Sequence, residues 1–232
     1  MCRRIFVNSS LDELIHHFAF AERGEIDGLD GRFPRYNGYP REAYPIIIRD
    51  GAQKPGSLAS TYAMAVWDFT PSWMKPSQRR PLVNVPCEGI AANARFGPAY
   101  QARRCLVPVS GFFEWDTLET GRKTQPYAVA MKDRLPFALA GISAIWRHPA
   151  GIDILNFAIL TCAPNEMMAT IHDRMPVILH RKDYDRWLSS ELDPADLMKP
   201  FPAALMNRWP VARRLHNDKR GGPETITVIA LD

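Results

Sequence analysis

The 232-residue sequence lacks any run of 18 apolar residues, so no segment has the length and hydrophobicity of a membrane-spanning helix. It also lacks the apolar core of a signal peptide, because Asp12, Glu13, His16 and His17 interrupt the early apolar stretch. These two absences predict a cytoplasmic protein that has no membrane partner.

Cysteine is scarce. The four cysteines stand at positions 2, 87, 105 and 162, and none of them forms a C-x-x-C pair. This scatter argues against a zinc knuckle and against the disulfide framework of a small secreted domain. We therefore expect free thiols, no metal ion and no cofactor.

Long helical patterns are also missing between the apolar runs of the second half of the chain. The runs at 125–131, 137–146 and 155–161 are separated by turn residues, which is typical of a β-meander. Hydrophobic residues make up 46% of the chain, enough for one sizeable core. We predict an α+β fold: a single domain over residues 2–232, with Met1 removed, built on a mixed, mostly antiparallel β-sheet or barrel-like core with short peripheral helices.

Local patterns refine this prediction. Ser10 and Glu13 have the spacing of a capping box, so they predict a helix start. Segment 24–44 is rich in Gly, Pro and Arg without periodicity, and indicates a long loop. Segment 67–75 carries three aromatic residues outside any periodic element, which favours an exposed or half-exposed aromatic platform. Segment 165–171 reads as a short helix.

Charge is present in modest excess. The formal net charge is +4, and basic residues gather at 3–4, 32–41, 75–80, 95–104 and 213–220. This distribution permits a polyanionic partner and does not require one, since an ordinary solvated surface has the same composition.

Cys2 carries the most unusual chemistry of the sequence. A small residue after the initiator Met allows removal of Met1, which would leave a thiol and a free amine on neighbouring carbons of Cys2. The reference pKa values are roughly 7.7–8.0 for the amine and about 8.5 for the thiol. An aldehyde can condense with this amine to a Schiff base, and the thiol can then close a five-membered thiazolidine. The alternative is that Cys2 is simply a small residue at a frayed end.

Two further segments hold candidate proton-transfer groups. Glu114 stands between the aromatic residues Phe113 and Trp115, where loss of water would raise its pKa; an ordinary surface glutamate is the alternative. His172 follows the predicted short helix and opens a cluster with Asp173 and Arg174, just before the apolar strand that begins at Val177. Such a position can project polar side chains into a cleft.

Six blocks, in this order along nearly the whole chain, resemble the SOS-response-associated peptidase (SRAP) family. They are Cys2 followed by a strand, Arg35-Tyr-Asn37-Gly-Tyr-Pro40, Trp67 with Pro71-Ser-Trp73, Asn93-Ala-Arg95, Arg104-Cys-Leu-Val-Pro108 through Gly111-Phe-Phe-Glu114-Trp115, and Ile171-His-Asp-Arg-Met-Pro-Val-Ile-Leu179. The resemblance implies a sensor of abasic sites in single-stranded DNA that crosslinks itself to the ring-opened sugar through Cys2.

The resemblance also implies roles for individual residues. The catalytic set would be the nucleophile Cys2, the sugar-side Asn93, the general acid/base Glu114 and the active-site histidine His172. The DNA-binding set would combine phosphate contacts, stacking aromatics and a wedge; its members are Arg4, Pro40, Trp67, Phe69, Arg95 and Arg174. The family usually has Gly where Arg3 and Asp68 stand, and Glu where Gly97 stands after Asn-Ala-Arg.

The implied protein is a monomer that binds single-stranded DNA containing abasic sites, lies in the cytoplasm and associates with the nucleoid when DNA is damaged. It would act as a crosslinking protein with (auto)peptidase and lyase-type activity, and without a metal. Two alternatives stay open: an N-terminal-nucleophile thiol peptidase or amidohydrolase, in which the Cys2 amine serves as base, and a non-catalytic nucleic-acid-binding module in which Cys2 is incidental.

Overall fold

The computed structural model describes residues 2–49, 59–75, 82–116, 124–189, 193–216 and 221–231. These residues form β1 Arg4–Val7, β2 Ala21–Glu22, β3 Arg35–Gly38, β4 Ala43–Arg49, β5 Ser60–Trp67, β6 Asn84–Pro86, β7 Arg104–Val109, β8 Gly111–Trp115, β9 Pro126–Met131, β10 Phe137–Arg147, β11 Asp153–Cys162, β12 Met175–Pro176, β13 Ile178–Leu179 and β14 Met206–Pro210. The α-helices are α1 Leu11–His17, α2 Gly97–Ala102 and α3 Tyr184–Leu188. Short 3₁₀ turns lie at Asp27–Leu29, Ile90–Ala92, Met168–Thr170, Arg181–Asp183, Ala195–Leu197, Ala203–Leu205, Arg213–His216 and Pro223–Ile226.

The strands form two sheets. The smaller sheet has the order β14-β9-β8-β1-β3, and the larger one runs β12-β11-β10-β7-β4-β5-β2, with β13 and β6 attached to β10 and β11. Pairing is antiparallel throughout the smaller sheet, and parallel in the larger one where β11 meets β5 and β6 and where β2 meets β5. The predicted α+β class with a mixed, mostly antiparallel, barrel-like core is therefore confirmed.

Burial explains why the central strands read as continuous apolar runs. Strands β7 and β10 are neighbours inside the larger sheet, and nearly all their residues are buried. A strand covered on both faces has no solvent side on which to place polar residues. Gly141 on β10 shows how close the packing is, because a Cβ there would lie 2.8 Å from Cys105 Sγ and 3.0 Å from Ala158 O.

The predicted capping box starts α1. The Ser10 side chain accepts the Glu13 backbone N–H, and the Glu13 carboxylate accepts the Ser10 N–H in return. Leu11 and Leu14 are buried on the inner face of the helix. These contacts hold the chain that leaves β1 against the core, which fixes the position of the N-terminal strand.

Three sequence predictions need correction. Segment 24–44 is not one loop: it contains β3, which the lack of apolar alternation concealed and which pairs with β1. Segment 165–171 forms only the 3₁₀ turn Met168–Thr170, begun by the Asn165 side chain, which accepts the Met168 N–H. The aromatic platform is wrong for Trp67 and Phe69, which are 0% and 1% exposed. The sequence pattern also predicts a turn over residues 50–57, which lie outside the described residues.

Across the residues described above, no helix has the length and hydrophobicity needed to cross a membrane.

Candidate active site

Strand pairing carries the N-terminus to the end of β8. Arg4 of β1 pairs with Phe113 of β8, so the chain before Arg4 runs alongside the next β8 residue, Glu114. The Cys2 side chain is fully buried, and its thiol donates to the Arg4 carbonyl at 3.6 Å. A nucleophile and a carboxyl group are thus placed side by side by the register of one pair of strands.

The surroundings of Cys2 disfavour its thiolate. Burial raises the pKa of the Cys2 thiol far above its ordinary value, and the neighbouring Glu114 carboxyl acts in the same direction. A thiol held in its neutral form is a weak nucleophile until its surroundings change. The Cys2 thiol is therefore poorly prepared to attack first in this arrangement.

Asn84 fixes the backbone of Cys2. It is the first residue of β6, which runs parallel to β11 with Asn84 opposite Ile159. Its side-chain Nδ2 donates to the Cys2 carbonyl at 2.7 Å, and the residue is 7% exposed. The Asn84 Oδ1 is also buried and has no hydrogen-bond partner among the described residues. Beside Cys2, the Asn84 side-chain nitrogen is therefore hydrogen-bonded, whereas its side-chain oxygen is not.

Glu114 is a buried carboxyl, 2% exposed, between Phe113 and Trp115 on β8. Burial raises the pKa of Glu114, and the nearby His172 acts in the opposite direction. Its Oε1 accepts the Trp115 backbone N–H at 3.3 Å and lies 3.9 Å from His172 Nε2. The desolvation expected from the aromatic neighbours is present, so Glu114 can carry a proton at a higher pH than an exposed glutamate.

The two ring nitrogens of His172 have different neighbours: Nε2 lies near Glu114, and Nδ1 lies near the backbone of Arg174. Its Nδ1 accepts the Arg174 backbone N–H at 3.0 Å, and the Asp173 Oδ1 lies 2.9 Å from the same atom. Both groups approach Nδ1 from the His172 loop, so Nε2 is the ring nitrogen that faces Glu114.

Arg174 is held by a bidentate ion pair. Its Nη1 and Nη2 donate to the two Glu88 carboxylate oxygens at 2.7 and 2.8 Å, and Nη2 also donates to the Thr161 carbonyl at 2.6 Å. The ion pair holds the pKa of Glu88 below its usual range. Arg174 thus ties the segment that carries His172 to the loop after β6, and a phosphate could reach it only in competition with Glu88.

Asn93 closes a turn at the surface, whereas Asn84 is the asparagine that contacts Cys2. Asn93 is exposed, and its Oδ1 accepts the backbone N–H groups of Arg95 and Phe96, which closes the turn before α2. The family usually has a glutamate four residues after its asparagine. Glu88 stands four residues after Asn84, whereas Gly97 stands four residues after Asn93. The spacing to the acidic residue is thus matched by Asn84, and the catalytic role expected of Asn93 stays a prediction.

The choice of asparagine also affects the arginine expected to bind phosphate. If the family block is aligned from Asn84, its third position is Pro86; if it is aligned from Asn93, the third position is Arg95. Arg95 lies elsewhere, beside the Phe96 ring with its Cζ 5.6 Å from the ring centroid. Its possible contact with DNA stays a prediction that rests on its own geometry.

The other predicted DNA-binding residues fall into two groups. Arg4 is half-buried with its Cζ 4.9 Å from the Tyr39 ring centroid, and Pro40 is half-buried just after β3, so these two share one rim near the N-terminus. Trp67 is enclosed, stacked 6.2 Å from the Phe157 ring and donating to the Val83 carbonyl. A fully enclosed ring cannot stack on a base.

Asp68, which stands where the family usually has Gly, is buried. It is 2% exposed, so its carboxyl does not face the protein surface. Within the same loop, Trp73 is the exposed aromatic residue, at 61%.

Among the described residues, no group of three or more His, Cys, Asp or Glu side chains is arranged to hold a metal ion. The cluster of Cys2, Asn84, Glu114 and His172 contains a nucleophile, an amide and two groups able to exchange protons. These are the parts required for addition to a carbonyl carbon followed by loss of water.

The fold carries a buried cysteine near the N-terminus on two sheets, beside a carboxyl, an imidazole and an amide. These features define a class of proteins with a cysteine nucleophile close to the start of the chain. The sequence matches the model of the SOS response associated peptidase (SRAP) family over residues 1–218. The chain belongs to this family.

Curated relatives share most of the chain. It is 30% identical to the abasic site processing protein YoqW of Bacillus subtilis strain 168, over 97% of this chain and 99% of that one. It is 28% identical to the abasic site processing protein YedK of Escherichia coli K12, over 69% and 72% of the two chains. It is 26% identical to the abasic site processing protein HMCES of Gallus gallus, over 87% and 68%.

Solved structures show the same fold. A crystal structure of a Bacteroides thetaiotaomicron protein superposes with a TM-score of 0.85 at 22% identity, covering 99% of this chain and 100% of that one. A Bordetella bronchiseptica protein gives a TM-score of 0.72 at 22% identity, covering 91% and 100%.

Proposed function

We propose that this protein processes abasic sites in single-stranded DNA by forming a covalent thiazolidine crosslink through Cys2. The observation that carries the proposal is the enclosure of Cys2 by Asn84, Glu114 and His172. The relatives are abasic site processing proteins, which supports the same chemistry. A single strand that lacks a base exposes its sugar C1′ without any base-flipping step, so a small pocket with one nucleophile is sufficient.

The reaction begins after removal of Met1. The Cys2 amine attacks the C1′ aldehyde of the ring-opened sugar, which forms a C–N bond and a carbinolamine. Loss of one water gives the Schiff base. The thiol sulfur then adds to the imine carbon while its proton passes to nitrogen, which closes the thiazolidine. The net reaction joins protein and DNA with release of one water, and neither oxidation nor reduction occurs.

Glu114 is proposed as the proton donor and acceptor of this sequence. Opening of the sugar ring and expulsion of water both need a donor near the sugar, and burial raises the pKa of Glu114 toward the range where it can serve. The amine and thiol each lose a proton during the reaction, and the carboxylate left after donation can accept it. One carboxyl thus serves both directions of transfer.

His172 and Asn84 are proposed to position the sugar and the nucleophile. The His172 loop holds Nε2 3.9 Å from Glu114, so this imidazole is placed to hydrogen-bond the sugar hydroxyl released by ring opening. Asn84 holds the Cys2 carbonyl, which limits the directions that the adjacent amine can take. It takes over the role first expected of Asn93.

Arg4 and Pro40 are proposed to contact the strand around the lesion, since both lie on the rim next to the N-terminus. Arg174 is proposed as a support for His172, because its guanidinium is engaged by Glu88. The monomeric state, the cytoplasmic location and the association with damaged nucleoid DNA follow from the function as expectations.

The test uses uracil-containing single-stranded DNA treated with uracil glycosylase and mixed with the purified protein. We expect a slow-migrating covalent band on a denaturing gel that survives heating. A strand without uracil is the control. A chain that binds the lesion strand and yields no covalent band would contradict the proposal.

A peptidase function is the second candidate, favoured by the same N-terminal thiol. In that reaction Cys2 would attack an acyl carbon with its own amine as base, and self-cleavage of Met1 would be the narrowest case. Incubation with acyl peptide substrates separates the two activities, because only the peptidase releases a cleaved product from substrates without an aldehyde. Retention of Met1 in the mass spectrum would instead favour a non-catalytic binding module.

A further inference from the structure

The ion pair between Glu88 and Arg174 lies beside the candidate active site and is open to solvent on the Glu88 side. We propose that Glu88 is a built-in competitor of the DNA strand: it occupies Arg174 in the free protein, and a phosphate of the single strand displaces it on binding. This inference rests on the proposed function for the identity of the strand. It assigns a role to Glu88, which takes no part in the reaction steps above.

Three neighbouring strands bring the two charges together. Thr161 of β11 pairs with Pro86 of β6 on one side and with Pro176 of β12 on the other. Glu88 follows β6 and Arg174 precedes β12, so the guanidinium reaches Glu88 across the end of β11. The ion pair thus joins two segments that are distant in sequence.

The ion pair is also close to the reacting groups. Asn84, which holds the Cys2 carbonyl, is four residues before Glu88, and four residues of chain span at most about 14 Å. His172 is two residues before Arg174, and its Nδ1 accepts the Arg174 backbone N–H at 3.0 Å. The phosphates next to a sugar held at Cys2 can therefore lie within reach of Arg174.

The two sides of the Arg174 guanidinium differ in how firmly they are held. On one side, Nη2 donates at 2.6 Å to the carbonyl of Thr161, a residue that is fully buried. On the other side, Nη1 and Nη2 donate to Glu88, whose side chain is 55% exposed. Ion pairs open to water contribute little to stability, because water solvates both partners when they separate. An arriving anion can replace Glu88 while the Thr161 carbonyl keeps Arg174 in place.

A phosphate suits Arg174 for the same reason that Glu88 does, since each offers two anionic oxygens to the planar guanidinium. The ion pair lowers the pKa of Glu88 and raises that of Arg174, so both groups are charged at neutral pH. Within the part of the chain that the structure describes, Glu88 is the one acidic side chain in ion-pair contact with Arg174. The closed pair has no net charge, so displacement of Glu88 is the step that makes the positive charge available to DNA.

Competition of this kind weakens the reversible binding of every single strand by the same factor. Differences in affinity at one interface arise mostly from the dissociation rate, so an undamaged strand leaves sooner. A strand with an abasic site is retained by the covalent bond to Cys2 instead. Glu88 thereby favours the retention of lesions over the retention of intact DNA.

The experiment measures the affinity of undamaged single strands by fluorescence anisotropy at several salt concentrations, in the Cys2→Ala background, which cannot close the thiazolidine. Glu88→Gln and Glu88→Ala remove the competing charge, and Glu88→Asp keeps it. Arg174→Ala, alone and together with Glu88→Gln, completes a double-mutant cycle. The matched control is Asp153→Asn, which also removes one carboxylate from an exposed ion pair, with Arg147 in the β10–β11 hairpin.

We expect Glu88→Gln and Glu88→Ala to bind undamaged strands roughly 1.5- to 5-fold more tightly, the worth of an exposed ion pair expressed as a ratio. Glu88→Asp should lie closer to the parent, and Asp153→Asn should gain less than Glu88→Gln. Arg174→Ala should weaken binding more strongly in the Glu88→Gln background, by the same factor, because only there is the arginine available before the strand arrives. In that background it should also lower the salt slope by about 0.7, as expected for one phosphate contact.

Three outcomes would overturn the inference, for variants whose thermal unfolding matches that of the parent. Equal or weaker binding by both Glu88→Gln and Glu88→Ala would show that Glu88 does not compete with the strand. A smaller loss from Arg174→Ala in the Glu88→Gln background would show that Glu88 positions the arginine for DNA. No loss from Arg174→Ala in either background would show that no phosphate reaches it.

Failure of the proposed function would look different. The chain with Cys2 intact would then form no covalent band with a lesion strand. The gain of affinity in Glu88→Gln would persist, because it is measured on undamaged strands without any crosslink.

Discussion

Two buried charged sites in this protein are built in opposite ways. At the start of β7, Arg104 donates to the carbonyls of Trp187 and Tyr100, both at 2.6 Å, and also to that of Ser189. At the N-terminus, Glu114 is equally buried but is surrounded by titratable groups, with the Cys2 thiol beside it and the His172 imidazole 3.9 Å away. Fixed carbonyls hold a charge permanently, whereas titratable neighbours allow a proton to move.

This difference separates a buried group that stabilises the fold, Arg104, from one that is suited to chemistry, Glu114. Fixed backbone carbonyls accept from Arg104 and join α3 to the larger sheet, although burial lowers the pKa of the guanidinium. In the Cys2 cluster, burial likewise opposes ionisation by raising the pKa values of the thiol and the carboxyl, but there the neighbours are themselves titratable. Titratable groups with shifted pKa values beside one another are typical of a functional region.

The largest effect is expected at Cys2. Cys2→Ala should abolish the stable adduct and leave reversible DNA binding, because the ring cannot close without the thiol. Cys2→Ser keeps the amine and a weaker ring-closing group, so it should give an imine that borohydride traps, with little heat-stable product. Cys105→Ala, at a buried cysteine of β7, is the matched control and should crosslink normally. Heat-stable crosslinking by Cys2→Ala would exclude the thiazolidine.

Glu114→Gln should slow crosslinking by roughly 10²- to 10⁴-fold, the usual loss for a general acid/base. Affinity for DNA should hardly change. The pKa of Glu114 is raised, so the protonated donor persists above the usual range for glutamate and is lost as the pH rises through the raised pKa. The wild-type rate should therefore fall on the alkaline side for this reason, and Glu114→Gln should lack that fall. Single-turnover rates from pH 5 to 9 measure it, and identical profiles would make Glu114 a structural residue.

Asn84 and Asn93 offer a matched pair of asparagines. Asn84→Ala removes a buried hydrogen bond to Cys2, and should slow crosslinking by roughly 5- to 150-fold, which corresponds to about 1–3 kcal/mol. Asn93→Ala removes only a surface turn contact and should leave the rate within about twofold. Single-turnover rates for both variants decide between them. The reverse ranking would restore the sequence-based assignment of Asn93 and remove Asn84 from the site.

Arg104→Met should act on stability alone. It removes the cation from a set of buried carbonyls and should lower the free energy of unfolding by about 3 kcal/mol or more, because those acceptors lose their partner. The crosslinking rate of the folded fraction should stay within about twofold of wild type. Thermal unfolding and single-turnover kinetics measure the two quantities separately. A changed pH profile at unchanged stability would end the distinction between the two sites.

Much of the fold follows from sequence patterns because their physical causes are local. The capping box of Ser10 and Glu13 depends on spacing alone, and the buried strand β10 on an apolar run between turns. Strand β3 was missed because its residues Arg35 to Gly38 lack alternation, and only pairing with β1 defines it. Pairing partners distant in sequence are invisible to local patterns.

The site shows the same limit. Cys2, Glu114 and His172 were found from residue chemistry and from blocks with strong motifs, and the structure places all three in one neighbourhood. Asn84 was not among the predicted site residues, because the Asn-Ala-Arg triplet at 93 resembled the family block; its hydrogen bond to Cys2 is visible only in the structure. Burial of Trp67 could not be read from its sequence neighbours, because it depends on Tyr44 and Phe157 from other strands.

The most direct test of the central claim is mass spectrometry of the N-terminal peptide after reaction with an abasic single strand and digestion of both partners. The account predicts that Met1 is absent and that the adduct lies on Cys2, with one water lost and both the amine and the thiol blocked. Such a peptide would resist borohydride reduction and thiol alkylation. An adduct on any other residue, or a Cys2 peptide with its thiol still free to alkylate, would contradict the account.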